Sequence, residues 1–138
     1  MRIYKARGNE RNRGLTDKGK LDVIRVTELL RDTEINTFVS SPYQRARMTI
    51  EELANLKSKE ILLYEDLKEC VFTRENKVIP DRELYPLIKK KFENPKISFL
   101  GGESNIECQR RSVNVLKELL NRFKGHSIVI GTHGLVMT

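Results

Sequence analysis

The chain has 138 residues and 38% hydrophobic content, which fits one domain spanning residues 1–138 with a single core and excludes a disordered tract. Its formal net charge of +7, from 26 basic and 19 acidic residues, favours anionic partners but specifies none. Two cysteines, Cys70 and Cys108, far apart and in no metal-type spacing, argue against a disulfide framework and for a reduced, cytoplasmic setting, while no apolar run approaches the roughly 18 residues of a membrane span.

The first stretch, Met1 to Gly14, is polar and basic and lacks the apolar core of a signal peptide. Within it, Arg2–Ala6 reads as a short strand and Gly8–Gly14 as a loop. Thr16 reads as the N-cap of a helix running to about Arg31, with Asp17 in its first turn and Val23, Val26, Leu29 and Leu30 inward. Asn36–Ser40 is a second strand. Ser41-Pro42 then predicts a helix start, with Ala46, Ile50 and Leu53 on one face. Ile61–Tyr64 is a third strand, apolar enough to be buried on both sides. From Glu65 to Leu100 the chain is irregular, with three prolines and a short helix expected around Leu84–Phe92. A helix follows from Asn105 to Phe123, with Ile106, Val113, Leu116, Leu119, Leu120 and Phe123 apolar and Glu107 four residues before Arg111. Ser127–Thr132 is the clearest strand, and Leu135–Thr138 begins something helical.

Strands alternating with helices predict a parallel sheet covered on both faces. Ligands of such sheets bind at the carboxyl ends of the strands. Those ends carry Arg7; Ser40, Ser41 and, one turn on, Arg45; Glu65, Asp66 and Glu69; and Thr132 with His133. Two arginines, a histidine and a carboxylate cluster suit a phosphate with an acid or base beside it.

Ser40-Ser41-Pro42-Tyr43-Gln44-Arg45-Ala46, with Thr49 beyond, resembles the SSPxxRAxxT stretch of the histidine phosphatase superfamily, the phosphoglycerate mutase-like proteins. Gly101-Gly102-Glu103-Ser104 with Glu107 and Arg111, Thr132-His133-Gly134 after an apolar strand, and Leu15-Thr16-Asp17-Lys18-Gly19 resemble three further elements of that family, in order along most of the chain. The resemblance implies a three-layer α/β/α fold with a mostly parallel central sheet. It implies phosphomonoester chemistry without metal or cofactor. Arg7, Gly8, Arg45 and His133 are the implied phosphate ligands, and His133 would also stabilise transition-state charge. Glu69 is the implied acid/base, with Glu65 and Asp66 as competitors. Ser104 and Arg111 are possible rim residues, although Arg111 can equally pair with Glu107.

Two departures from the family pattern stand out. The usual string after the first strand is R-H-G or R-H-A, whereas this chain reads Ala6-Arg7-Gly8, without the histidine that attacks the phosphoryl group. Of its two histidines, His133 matches the second family histidine and His126 precedes the last strand, at the wrong rim. Family members also continue past the T-H-G element, so the C-terminal part of the fold is expected to be missing. These departures predict an impaired or inactive phosphatase, or a pseudo-phosphatase or degenerate fragment that at most holds inorganic phosphate or a phosphorylated small molecule. A nucleic-acid role is not favoured, because no basic stripe interleaves with aromatics. Arg47 and the run Lys89-Lys90-Lys91 read as solvated surface.

Overall fold

A computed structural model describes residues 10–73, 79–99 and 101–138. The expected first strand, Arg2–Ala6, and the expected ligands Arg7 and Gly8 lie outside the described residues.

Helix α1 spans Asp17–Leu30 and starts as its sequence dictates: Thr16 Oγ1 accepts the Gly19 N–H at 3.1 Å. Its inward face differs from the expected one. Val23 and Thr27 are buried and Leu30 packs on the core, whereas Val26 and Leu29 face outward, Leu29 with 81% of its surface exposed. The buried stripe steps i, i+4, i+7 and includes a threonine, which a count of apolar residues passes over.

Strand β1, Thr37–Ser40, is the middle of a parallel sheet. β2, Ile61–Leu63, pairs with one edge of it (Phe38 opposite Ile61), and β3, Ile128–Gly131, pairs with the other (Phe38 opposite Val129). Consecutive residues of a strand face opposite sides. Phe38 therefore enters a cluster with Ile35, Ile50, Leu53 and Ala54, while Val39 enters another with Leu67, Val115 and Leu119. Helix α2, Gln44–Leu56, supplies the first cluster and carries α1 against its back. The result is three layers, α/β/α, around a parallel sheet. β2 is not buried on both faces: among the described strands it forms an edge of the sheet, and Leu63 is half exposed. α2 begins at Gln44 rather than at Ser41-Pro42, with Tyr43 as its extended N-cap residue.

A 3₁₀ turn, Glu65–Leu67, follows β2, and helix α3, Asp81–Glu93, is longer than the expected Leu84–Phe92. Pro86 sits inside it. Lys91, expected on a solvated face, is 1% exposed. Its ammonium donates to the Glu103 carbonyl at 2.8 Å and lies 4.5 Å from the centre of the Phe72 ring. Helix α4, Asn105–Arg122, opens with a capping box between Ser104 and Glu107. Glu107 is thereby used, and Arg111 pairs with Glu103 instead of with Glu107. α4 carries two apolar stripes. The sheet takes the one containing Cys108, Ser112, Val115 and Leu119, and the expected Val113, Leu116 and Leu120 lie outward. A second 3₁₀ turn, Gly134–Val136, follows β3. No helix of the described residues is long and apolar enough to cross a membrane.

Gly131 closes β3 against α2. A Cβ there would lie 2.6 Å from the Ala46 carbonyl oxygen and 2.9 Å from Ser40 Oγ. Backbone on that side cannot yield cheaply, so Gly131→Ala is expected to lower unfolding stability by about 1–3 kcal/mol. Chemical denaturation checks this, and an unchanged midpoint would show that β3 and α2 have more room than the geometry allows.

Candidate functional site

The parallel register brings the carboxyl ends of β1 and β3 side by side. The Ser41 N–H donates to the Gly131 carbonyl at 2.8 Å, which sets Ser41 beside the residues that follow β3. His133, only 5% exposed, places Nε2 2.9 Å from Ser41 Oγ. The same Oγ accepts the Tyr43 N–H at 3.2 Å. Ser41 is therefore a relay rather than a helix cap. Besides accepting from Tyr43, the Ser41 hydroxyl keeps its hydrogen and a second lone pair, so it can meet His133 Nε2 as donor or acceptor according to the imidazole tautomer. The ring packs edge-on against Tyr43, 5.2 Å between centroids. Burial, with the positive charges of Arg45, Arg111 and Arg13, pushes the His133 pKa down to about 3. The imidazole is neutral at physiological pH, with a single N–H to give.

Arg45 is the second residue of α2, where a cation opposes the helix dipole. Glu10 compensates it. Arg45 Nη1 lies 3.1 Å from the Glu10 carboxylate and donates to the Glu10 carbonyl at 2.9 Å, and Arg13 reaches the same carboxylate oxygen at 3.2 Å. The guanidinium also lies over the Tyr43 ring at 5.0 Å. Burial lowers its pKa and the Glu10 charge partly restores it. The backbone donors at this helix start are largely engaged within the protein. Gln44 N–H donates to the Arg11 carbonyl, and the Ala46 and Arg47 N–H groups donate to Tyr43.

Glu69 follows the 3₁₀ turn. Its Oε1 accepts the Cys70 N–H at 2.9 Å. Burial raises its pKa, against the lowering effects of that hydrogen bond and of Arg45, so its carboxyl holds a proton above the usual carboxylate range. The competing Glu65 is engaged elsewhere, with Arg11 and Lys68, and its side chain is 49% exposed.

Arg45, Glu69, Thr132 and His133 line one open cavity of 270 Å³, together with Thr49, Gly134 and the apolar Leu15 and Ala46. Ser104 and Arg111 do not line it. Ser104 is buried as the cap of α4, and Arg111 donates to Glu103 and to the carbonyls of Asp66, Lys68 and Glu69. Arg111 thereby holds the segment bearing Glu69 against α4. His126 sits at the opposite end of the sheet, 2.9 Å from Thr37 Oγ1. Two features escape a linear reading: Glu10 as the partner of Arg45, and Ser41 as the partner of His133. A cavity with a guanidinium, a neutral imidazole and a carboxyl whose pKa burial raises offers charge and donors to a tetrahedral oxyanion, while the Thr49 and Thr132 hydroxyls already donate to the Arg45 and Leu67 carbonyls.

The family model described as histidine phosphatase superfamily (branch 1) matches residues 4–138. Comparison with curated proteins finds no match. Among solved structures, a mycobacterial glucosyl-3-phosphoglycerate phosphatase is similar with a TM-score of 0.80 and 18% identity, over 93% of this chain and 66% of its own. The chain thus spans about two thirds of that protein's length. A structure of the mycobacterial phosphatase in complex with inorganic phosphate gives a TM-score of 0.79 at 19% identity, over 93% and 67% of the two chains. YhfR of Bacillus stearothermophilus gives 0.75 at 24% identity, over 93% and 68%. At these identities the likeness establishes the fold.

Proposed function

Because this chain belongs to the histidine phosphatase superfamily, we propose that its cavity binds inorganic phosphate or the phosphate of a small phosphomonoester without forming a phosphohistidine. The observation that carries this reading is the placement of the two histidines. His133 lines the cavity with its Nε2 turned to Ser41, and His126 is at the far end of the sheet. The sequence string Ala6-Arg7-Gly8 offers no third imidazole. Covalent transfer needs an attacking atom, and binding does not. Arg45 is the principal charge partner in this reading, His133 donates one hydrogen bond, and Thr49 and Thr132 complete the polar wall. Arg7 and Gly8 are proposed to add a second guanidinium and a close backbone approach. Binding of a like phosphate ion by the mycobacterial phosphatase supports the reading.

A second reading rests on Glu69. A carboxyl whose pKa burial raises beside the anion site can, in its protonated form, protonate a leaving oxygen while water attacks phosphorus. Steady-state turnover of an aryl phosphate, with the quenched protein weighed for a phosphoryl adduct, separates the readings. The first expects neither turnover nor adduct. Slow turnover that Glu69→Gln removes, again without adduct, would favour the second, and a phosphoryl adduct on histidine would overturn both.

Glu10 has a consequence for affinity. Its carboxylate already occupies Arg45 and Arg13, so an incoming phosphate must displace a like charge. Glu10→Gln is expected to tighten phosphate binding by roughly 3–10-fold, the scale of one part-exposed charge contact. Calorimetric titration measures it, and weaker binding would mean that Glu10 positions Arg45 rather than competing for it.

A further inference from the structure

We propose that Cys70 and Cys108 form a reversible intramolecular disulfide, in which Cys70 is the thiolate that a hydroperoxide oxidises and Cys108 is the thiol that resolves it. The proposal is independent of phosphate binding.

The two thiols are free and buried, 4% and 2% exposed. Folding brings Cys70 Sγ, Cys108 Sγ and a Glu103 carboxylate oxygen within 4.8 Å of one another. Both segments are already clasped. Glu103 N–H donates to the Val71 carbonyl at 2.8 Å, the Glu103 carboxylate accepts the Val71 N–H at 2.9 Å, and Arg111 ties the Asp66, Lys68 and Glu69 carbonyls to α4. A cross-link there would join segments that are already hydrogen-bonded to each other.

The two sulfurs are not equivalent. Lys91, buried on α3, donates to Cys70 Sγ at 3.0 Å. Arg111 approaches Cys108 Sγ at the longer distance of 3.4 Å and is itself neutralised by Glu103. A buried ammonium in hydrogen-bond contact favours thiolate at Cys70. The groups facing Cys70 are Lys91 from α3, Glu103 from the segment before α4 and Cys108 from its first turn. A hydrogen bond from Cys108, and after it Lys91, pull the Cys70 thiol down to about 7 against the effects of burial and of Glu103. The hydrogen bond to Cys70, with burial, raises the Cys108 thiol. The same cations argue against a metal at these three side chains, since a metal ion would meet ligands already holding Lys91 and Arg111.

In the first step the Cys70 sulfur attacks the terminal oxygen of the peroxide. The O–O bond breaks, its electron pair leaves on the second oxygen, which takes a proton from water, and Cys70 becomes a sulfenic acid. In the second step Cys108 sulfur attacks Cys70 sulfur. The S–O bond breaks, and the departing hydroxide leaves as water with the Cys108 proton. The two thiols lose two electrons and two protons, and the peroxide becomes alcohol (or water) and water. A dithiol reductant reverses the change. Glu69 adjoins Cys70 in the chain and accepts its N–H, so the cross-link falls on the segment that lines the anion cavity.

The test treats the folded chain with hydrogen peroxide, alkylates remaining thiols and maps the peptides. The expected result is a peptide joining Cys70 to Cys108 within one chain, with no alkylation, reversed by dithiothreitol. Its rate should rise with pH through about 7. In Cys108→Ser a 1,3-diketone should capture sulfenic acid at Cys70. Thiols that stay reduced in the folded chain yet react after unfolding, a link between two chains, first capture at Cys108 in Cys70→Ser, or stoichiometric zinc binding that protects both thiols would each overturn the proposal. The wild-type peptide map decides even where a serine variant fails to fold.

Discussion

Arg45→Ala is expected to weaken phosphate binding by roughly 30–150-fold, about 2–3 kcal/mol, while leaving the fold intact. A charge-assisted contact to an oxyanion is worth more than a neutral hydrogen bond, and more again where water is partly excluded. Arg45 has only 16% of its side chain exposed, and its guanidinium is oriented by the Tyr43 ring and the Glu10 carbonyl. It is therefore a preorganised charge, and alanine removes both the charge and the geometry. Arg45→Lys separates these, because an ammonium keeps the charge and loses the planar fork. Lysine should recover part of the affinity and alanine none. Calorimetry on the three proteins checks the order, and equal affinity in all three would remove Arg45 from the site.

The second large effect is on stability against pH. His133 has its pKa lowered from 6.5 in the unfolded chain to about 3 in the folded one. Below pH 6.5 the unfolded chain binds a proton that the folded chain refuses. Unfolding is then favoured progressively as pH falls towards 3, and the contribution of neutral His133 is complete only above 6.5. The loss from this group is expected to reach a few kcal/mol by pH 4. Glu69 works in the opposite sense. Its folded pKa is raised, so the stability its protonated form confers is present below 4.5 and disappears as pH rises through the folded value. Glu69 thus offsets part of the acid loss between its folded value and 4.5, and none of the loss below 4.5. His133→Gln keeps a hydrogen-bonding group for Ser41 and has nothing to titrate. From pH 7 to 4.5, denaturant melts should lose more stability in the wild type than in the variant. Parallel curves would mean that His133 is protonated in the folded state.

The residues that carry the candidate chemistry were legible in the sequence because they sit where a parallel sheet must place them. Arg45 follows a strand by a few residues, His133 follows another directly, and Glu69 follows a third through one turn. Each needs only a correct strand end, and strand ends survive small errors of boundary. Helix faces were less legible. In α4 the apolar residues at 113, 116 and 120 recur at helical spacing, yet the sheet receives the neighbouring stripe with Cys108 and Ser112. Local spacing identifies an apolar face but does not say which of two the rest of the protein covers. Lys91 departs furthest from its linear context. A run of three lysines reads as solvated, and only the tertiary pairing of Lys91 with Cys70 Sγ and the Glu103 carbonyl makes its burial tolerable. Arg111 failed in the same way. Its i–4 partner Glu107 is consumed by the capping box, and Glu103 takes its place. The relay from Tyr43 through Ser41 to His133 joins residues from two strands far apart in sequence, so no linear pattern could announce it.

The most direct measurement is a calorimetric titration of the folded chain with inorganic phosphate at neutral pH. The account predicts one saturable site per chain, weakened by added salt and competed by vanadate. A folded chain that releases no heat and shows no shift in melting temperature at saturating phosphate would contradict the claim that this cavity is an anion site.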